Sequence, residues 1–222
     1  MREEIEVIQN ELSDVEIKEI NHITFYIGYW HNHHIVLVQS GIGKVNAAAT
    51  ATMLINHFPL RSLFFSGVAG AVDESLNIGD IVISRDLIQY DMDLTAFGYR
   101  KWQLPQTSQQ EIPISFNLLA LAESAFSTDE HIHIGRIISG DQFISKKEEK
   151  IRLGKEFDAL CVDMESAAVA QVCQIFQIEC LIIRSISDSV TEESKMEYEK
   201  FLPLAAENSK QCLETMLQAL CK

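Results

Sequence analysis

Short apolar runs alternate along the chain with longer segments of helical periodicity. The runs are rich in Val and Ile and nearly continuous in hydrophobicity, which is typical of strands buried on both faces of a mostly parallel sheet. They read IVLVQSG, SLFFSGVAG, DIVISRDLI, HIGRIISGD, ALCVDME and CLIIRSISD. These runs predict the strands of a central sheet.

The intervening segments predict helices that flank this sheet. KVNAAATATMLINHF, FNLLALAESAF and SAAVAQVCQIF are Ala-rich or amphipathic at the helical period. The closing stretch from Met196 predicts a long terminal helix that bends near Pro203. A chain of 222 residues without repeats or linker-like tracts fits one domain. We therefore expect a single α/β domain over residues 1–222, with a mixed, mostly parallel sheet.

Neither the histidines nor the cysteines indicate a metal site or a disulfide. His31, His33 and His34 fall between the strand-like runs HITFYIGYW and HIVLVQS, where a solvated hairpin turn is the better interpretation. The five cysteines include no C-x-x-C pair and are interpreted as reduced thiols that mostly pack in the core. They are Cys161, Cys173, Cys180, Cys212 and Cys221. No metal and no cofactor is expected.

Charge and hydropathy argue against several classes of partner. The formal net charge of -14 repels phosphate backbones and anionic surfaces, so neither nucleic acid nor a membrane is an expected partner. No apolar run approaches the roughly 18 residues that cross a bilayer. The acidic start MREEIEVIQN is unlike a signal peptide. We expect a soluble, cytoplasmic protein.

Five of the predicted strands end in small or polar residues. In open α/β sheets, ligands bind outside the carboxyl ends of the strands, and glycines there let the backbone approach a ligand closely. A simple turn explains any single end equally well, but five such ends together favour a shared pocket. The five ends are residues 40–43, 66–70, 139–141, 163–165 and 185–188.

Two nucleotide-binding motifs are not met. SGIGK is too short for a P-loop, and Val45 follows Lys44 where Ser or Thr is required. GVAGAV lacks the third glycine of a dinucleotide fingerprint. Neither a nucleoside triphosphate nor NAD is therefore supported as a ligand.

Seven motifs taken together resemble the 5′-methylthioadenosine/S-adenosylhomocysteine nucleosidases of the nucleoside phosphorylase superfamily. In order, they are SGIGKVNAA, SGVAGAV, IGDIVIS, YDMDLTAFGY with QLP, ISGDQFI, VDMESAA and RSISD. The resemblance implies a nucleoside phosphorylase-like fold. It also implies hydrolysis of the N-glycosidic bond of 5′-methylthioadenosine and S-adenosylhomocysteine, with release of adenine.

The resemblance assigns catalytic roles to three carboxylates. Asp188 resembles the general acid that protonates nitrogen 7 of adenine, and Glu165 resembles the carboxylate that binds the ribosyl hydroxyls. Met1 and Glu4 keep the family's spacing between a methionine and the glutamate that acts with the attacking water. The plain alternatives are a helix N-cap for Asp188 and a solvated first helical turn for Glu4.

The same resemblance implies the substrate contacts. Phe143 stacks on the adenine, Ile144 bonds it through the backbone, Met164 packs beneath the sugar and Tyr198 lies near the 5′ substituent. The positions that line the ribose and the water site, together with two further strand-end candidates, are Ile42, Val68, Ala69, Gly70, Ser187 and Asp163. The family more often carries Glu where this chain has Asp163, so that residue has no assigned role.

A homodimer is also implied by the resemblance. Phe97, Tyr99 and Pro105 match a segment that reaches into the pocket of a neighbouring subunit. The expected partners are therefore a small nucleoside substrate and a second copy of the chain.

Glycosidic chemistry sets a requirement on each acid. Bond cleavage moves electrons onto the purine and leaves an oxocarbenium-like sugar, so the site needs an acid at the base and negative charge at the sugar. An unperturbed Asp has a pKa of about 3.9 and loses its proton below neutrality. We expect burial and nearby negative charge to raise the pKa of Asp188, and Glu165 to stay ionised beside the sugar hydroxyls and Arg184.

One part of the family pattern is missing. The family opens with a strand that ends in Gly-Ala-Met and pairs near the middle of the sheet, whereas this sequence starts at Met1. We expect the true start to lie upstream or the chain to have been shortened. Without that strand, backbone groups of the sheet are expected to lack partners and Glu4 to be poorly held.

Three alternative functions stay open at this stage. Phosphorolysis is disfavoured, because SGIGK and SGVAGAV place apolar residues where arginines would hold a phosphate. A nucleosidase for aminodeoxyfutalosine shares the same motifs. The non-enzymatic alternative is a nucleoside-binding or storage protein. The absent first strand favours this alternative, and the presence of Asp188 and Glu165 disfavours it.

Overall fold

The computed structural model describes residues 2–105, 107–190 and 194–220. The helices are α1 Arg2–Gln9, α2 Lys44–His57, α3 Phe116–Ala125, α4 Lys147–Phe157, α5 Ser166–Phe176 and α6 Ser194–Leu220, with a 3-10 turn at Thr95–Phe97. The strands are β1 Ser13–Ile20, β2 Ile23–Trp30, β3 His33–Val38, β4 Ser62–Ala71, β5 Ile81–Gln89, β6 Ile112–Pro113, β7 Ile132–Ser139, β8 Ala159–Asp163 and β9 Glu179–Asp188.

The central sheet closes on itself. Its strands follow the order β6-β5-β7-β8-β4-β9, and β9 pairs in addition with β5. The longest ladders, β4 with β9 and β5 with β7, are parallel, whereas β8 with β4 and β9 with β5 are antiparallel. The predicted mixed sheet flanked by helices is confirmed, and five of the described strands form a closed ring.

Strands β1, β2 and β3 form a second, antiparallel sheet. The prediction that the run IVLVQSG joins the central sheet is therefore wrong. The cause is local: His31 and Asn32 form a two-residue turn with φ of 47° and 64°, and so tight a turn forces β3 to pair antiparallel with β2. The hairpin turn predicted for the histidine cluster is confirmed.

Helices cover both faces of the central sheet, which explains why its strands are apolar throughout. Neighbouring residues of β9 belong to different cores: Ile182 packs with Ala51 and Ala170 from α2 and α5, whereas Ile183 packs with Met216 from α6. Four of the predicted thiols, Cys161, Cys173, Cys180 and Cys212, are buried and free, as expected. Cys221 lies outside the described residues. None of the described helices is long and apolar enough to cross a membrane.

The described chain begins with helix α1, not with a strand. Among the described residues, β3 has β2 as its strand neighbour, and β4 has β9 along most of its length and β8 only at its last two residues. The facing edges of β3 and β4 contribute Val38 and Phe65 to one cavity wall, to which α1 adds Ile5. Helix α1 thus packs against the space between the two sheets.

Candidate active site

The ends of the strands meet at one cavity of about 440 Å³. Residues after β3, at the end of β4, after β8 and at the end of β9 line it directly. The end of β7 contributes through the residues that follow, Gln142 to Ile144. The candidates that line the cavity are Glu4, Ile42, Val68, Ala69, Gly70, Phe143, Ile144, Asp163, Met164, Glu165, Ser187, Asp188 and Tyr198.

A buried ion pair between Asp163 and Arg184 forms the floor of this cavity. The Arg184 Nε atom donates to Asp163 Oδ2 at 2.7 Å and to Ser166 Oγ at 2.9 Å, and neither charged side chain is more than 4 % exposed. The guanidinium carbon lies 4.4 Å from the ring centre of Phe65. A side chain at position 67 would overlap the guanidinium, because a Cβ there would lie 1.9 Å from Arg184 Nη1, so glycine is required.

The same Asp163 carboxylate caps helix α5. Its Oδ1 accepts from the backbone N–H groups of Glu165 and Ser166 at 3.1 Å and from Ser139 Oγ at 2.5 Å. Ser166 Oγ also donates to Oδ2. Protein donors thus engage both oxygens of this carboxylate. Asp163 therefore acts as an internal anchor at the cavity wall, a role that the sequence left open.

Glu165 is held at the N-terminal end of the same helix. Its Oε1 accepts from the backbone N–H of Gly43 at 2.8 Å, and its Oε2 lies 3.8 Å from Arg184 Nη2. Burial raises the pKa of Glu165, the charge of Asp163 raises it further, and Arg184 and the Gly43 N–H oppose the shift. The expected neighbour Arg184 is present, but the net direction of the shift works against the ionised form.

Asp188 lies at a β-bulge that turns it into the cavity. Opposite β4, Ala69 pairs with Ile186 and Gly70 pairs with Asp188, so Ser187 is an extra residue. The bulge explains how the consecutive residues Ser187 and Asp188 both line the cavity, since neighbours in a regular strand face opposite sides. A Cβ at Gly70 would lie 2.9 Å from Asp188 Oδ2, so only glycine allows this approach.

The partners of Asp188 differ from those expected. Ser187 Oγ donates to Oδ1 at 2.8 Å, and Lys150 Nζ of α4 donates to Oδ2 at 2.5 Å. The charged group in contact with this carboxylate is thus a cation, which the sequence did not predict. The helix-cap alternative also fails, because Asp188 is the last residue of β9 and the described residues directly after it, Ser189 and Val190, are not helical.

Glu4 lies in the cavity wall and not on a solvated turn. Its side chain belongs to helix α1, and the residue is 9 % exposed. Burial lowers the pKa of Arg184, but the charges of Asp163, Glu165 and Glu4, in that order of size, raise it above its ordinary value. The carboxylates of Glu4 and Glu165 therefore share the same buried cation.

Three comparisons with known proteins agree with this geometry. The family model described as the phosphorylase superfamily matches residues 1–218. A 5′-methylthioadenosine/S-adenosylhomocysteine nucleosidase of Staphylococcus haemolyticus is 36% identical over 226 residues, which cover 99% of this chain and 97% of the relative. The chain belongs to the phosphorylase superfamily, within its 5′-methylthioadenosine/S-adenosylhomocysteine nucleosidase family.

Solved structures of this nucleosidase family have the same fold. The nucleosidase of S. pneumoniae, solved with a transition-state inhibitor, superposes with a TM-score of 0.94 at 33% identity and covers 99% of this chain and 96% of its own. The futalosine hydrolase of Helicobacter pylori superposes with a TM-score of 0.92 at 38% identity and covers 98% and 94%.

Two aromatic rings lie at the open side of the cavity in this chain. The rings of Phe143 and Tyr198 lie edge to face with centres 5.9 Å apart, and Phe143 is 49% exposed. Ile144 beside them is buried. Aromatic faces with one accessible side suit a planar ligand.

Three predicted residues lie outside the cavity of their own chain. Phe97, Tyr99 and Pro105 are not part of its described lining. Phe97 is 79% exposed, which is unusual for a phenylalanine. Their reach into a neighbouring pocket stays a prediction.

Sequence reasoning missed Lys150. The signal was present in helix α4, where Lys150 shares the buried face with Leu153 and Phe157 at helical spacing. A lysine in an apolar stripe has to find a buried partner.

Removing the Asp163 carboxylate should destabilise the fold. Asp163→Ala leaves the guanidinium of Arg184 buried without its main partner, which should lower the free energy of unfolding by about 3–5 kcal/mol. Urea denaturation measures this change. Glu130→Gln, which alters an exposed carboxylate, is the matched control and should leave the midpoint unchanged. Equal midpoints for Asp163→Ala and the wild type would contradict the anchoring role.

The raised pKa of Glu165 makes stability depend on pH. The folded state favours the protonated carboxyl, so this contribution is complete below the ordinary pKa of Glu and is lost as the pH rises through the folded-state value. Glu165→Gln, which mimics the neutral form, should therefore gain in Tm relative to the wild type as the pH increases from 4 to 8. Thermal unfolding at several pH values tests this. A Tm difference that shrinks with rising pH would reverse the sign and refute it.

Proposed function

We propose that this chain hydrolyses the N-glycosidic bond of 5′-methylthioadenosine and S-adenosylhomocysteine, releasing adenine and the thioribose product. The observation that carries the proposal is the presence of Asp188, Glu165 and Glu4 in the wall of one cavity with aromatic residues at its open side. Three carboxylates with different neighbours can divide the tasks of acid, sugar binding and water activation.

Each of the three carboxylates is assigned one task in this reaction. Asp188 protonates nitrogen 7 of the leaving adenine, from its position beside Gly70 and Ser187. Glu165 binds the ribosyl hydroxyls and, when ionised, stabilises the positive charge that develops on the sugar. Glu4 orients the attacking water and accepts its proton. Phe143, Ile144, Met164 and Tyr198 contact the adenine, the sugar and the 5′ substituent.

Hydrolysis is favoured over phosphorolysis by the charge of the cavity. A phosphate dianion is held by cationic side chains or converging N–H donors. Arg184 is the one lysine or arginine in the described cavity lining, and Asp163 and Glu165 already engage it. A neutral water molecule needs no such cation.

The decisive experiment measures free adenine after incubation with 5′-methylthioadenosine, with and without phosphate. The expected result is adenine release that does not depend on phosphate. Phosphate dependence would favour phosphorolysis, and no adenine in either condition would indicate a binding protein. Because a futalosine hydrolase is among the similar structures, the assay is repeated with S-adenosylhomocysteine and aminodeoxyfutalosine, and kcat/KM ranks the three substrates.

Asp188→Asn should abolish turnover in this assay. Asparagine keeps the shape of the side chain but has no acidic proton to donate, so kcat should fall by about 10²–10⁴-fold, the usual contribution of a general acid. Affinity for adenine, measured by calorimetry, should change far less. The matched control is Asp158→Asn, a helix C-terminal residue outside the cavity lining. An Asp188→Asn variant with wild-type kcat would remove the general-acid role.

The homodimer is proposed on the same basis, with the 97–105 segment completing the pocket of the second subunit. The exposed Phe97 supports this arrangement, and the cytoplasmic location stays a prediction from the sequence.

Mixing two inactive variants tests the shared pocket. A Phe97→Ala subunit keeps its own Asp188, and an Asp188→Asn subunit keeps its own Phe97, so a mixed dimer of twofold symmetry restores one complete site. Co-expression should recover adenine release that neither variant shows alone. Full activity of Phe97→Ala by itself, or no recovery in a mixed dimer verified by mass spectrometry, would contradict the proposal.

A further inference from the structure

Lys150 is a lysine side chain with no exposed surface. It projects from the buried face of α4, and its Nζ atom donates to Asp188 Oδ2 and to the carbonyl oxygen of Ser189, each at 2.5 Å. It does not line the cavity, where Asp188 stands between it and the ligand space. Any effect of Lys150 on a substrate therefore passes through Asp188.

This contact conflicts with a simple acid role for Asp188. A cation in contact with a carboxyl group favours the ionised form, yet the leaving adenine needs a proton. A free lysine ammonium keeps its proton up to a pH of about 10.4, whereas a free Asp carboxyl loses its proton at about 3.9. In the structure, the Lys150 nitrogen is the donor of this contact and Asp188 Oδ2 is the acceptor.

We propose that Lys150 supplies, through Asp188, the proton that the leaving adenine takes up. The Lys150 ammonium transfers its proton to the Asp188 carboxylate, and Asp188 passes this proton to nitrogen 7 as the C1′–N9 bond breaks and its electron pair moves into the purine. The pair ends as a neutral amine and a carboxylate, and adenine carries the proton. Solvent restores the ammonium after the product leaves.

The other groups around the pair do not offer the same proton. On α6, Glu197 accepts from the backbone N–H and the hydroxyl of Ser189. On β8, burial and, less strongly, the charges of Asp163 and Asp188 raise the pKa of the Cys161 thiol, so it keeps its proton. Arg184 on β9 is paired with Asp163 of β8 and with Glu165. Directly after β5, Tyr90 packs against Phe157 of α4, and burial raises the pKa of Tyr90 to about 12.

This inference rests on the proposed nucleosidase activity and assigns Lys150 as a positioning residue that acts through Asp188. Lys150→Met removes the ammonium. At pH 7.5 its kcat for 5′-methylthioadenosine should fall by about 10²-fold, within the range of a lost acid–base contribution, with a much smaller change in KM. The decline of kcat with rising pH should also begin at a lower pH than in the wild type, because Asp188 then has to retain its own proton.

Lys150→Arg separates proton supply from simple charge pairing. Arginine keeps the cation beside Asp188 but holds its proton at every working pH. Its kcat should therefore also fall by about 10²-fold, although the ion pair remains. Lys147→Met, on the exposed side of the same helix, is the control and should match the wild type.

Three results would overturn the inference: a folded Lys150→Met variant with wild-type kcat and pH profile, a Lys150→Met variant slowed equally at every pH, or a Lys150→Arg variant with wild-type kcat. Should Lys150→Met fail to fold, as judged by circular dichroism, Lys150→Arg decides alone. A wild-type protein that releases no adenine contradicts the proposed function itself, whereas adenine release that is unaffected in both variants contradicts only the proton supply.

Discussion

The ion pair between Asp163 and Arg184 is the interaction on which the rest of the site depends. Arg184 is buried, and a buried guanidinium is tolerated only when its charge and donors have partners. Asp163 provides the main partner and at the same time caps α5, whose N-cap residue is Glu165. The carboxylate of Asp163 thus fixes both the guanidinium of Arg184 at the floor of the cavity and the start of helix α5 at its wall.

A second buried ion pair joins Lys150 to Asp188, which lines the same cavity. Both pairs include a residue of β9, Arg184 in one and Asp188 in the other. Strand β9 therefore carries Arg184, whose charge neutralises carboxylates, and Asp188, whose charge is neutralised by Lys150 of α4. The bulge at Ser187 separates the two and turns the end of the strand toward the ligand space.

The sequence predicted the parts of the site that depend on strand ends. Asp188 and Glu165 could be located because each follows an apolar run, and the ends of such runs gather at one edge of a sheet. Lys150 could not be paired with Asp188, because the contact spans 38 positions and depends on how α4 packs. The run of β3 was misassigned because hydrophobicity reports burial and not the choice between two sheets. Strand β1 is exposed along nearly its whole length and was not predicted, and helix α1 was anticipated only as a first helical turn at Glu4.

The closed ring of strands has an evolutionary consequence. Backbone hydrogen bonds around the ring set the relative positions of Asp163, Arg184 and Asp188, independently of the loops that carry Ile42 and Phe143. Loops tolerate substitution and insertion better than the strands that they connect. Descendants of this chain can therefore change the shape of the recognition surface while inheriting the charge arrangement intact. In such a scaffold, the preferred ligand can change while the catalytic charges stay in place.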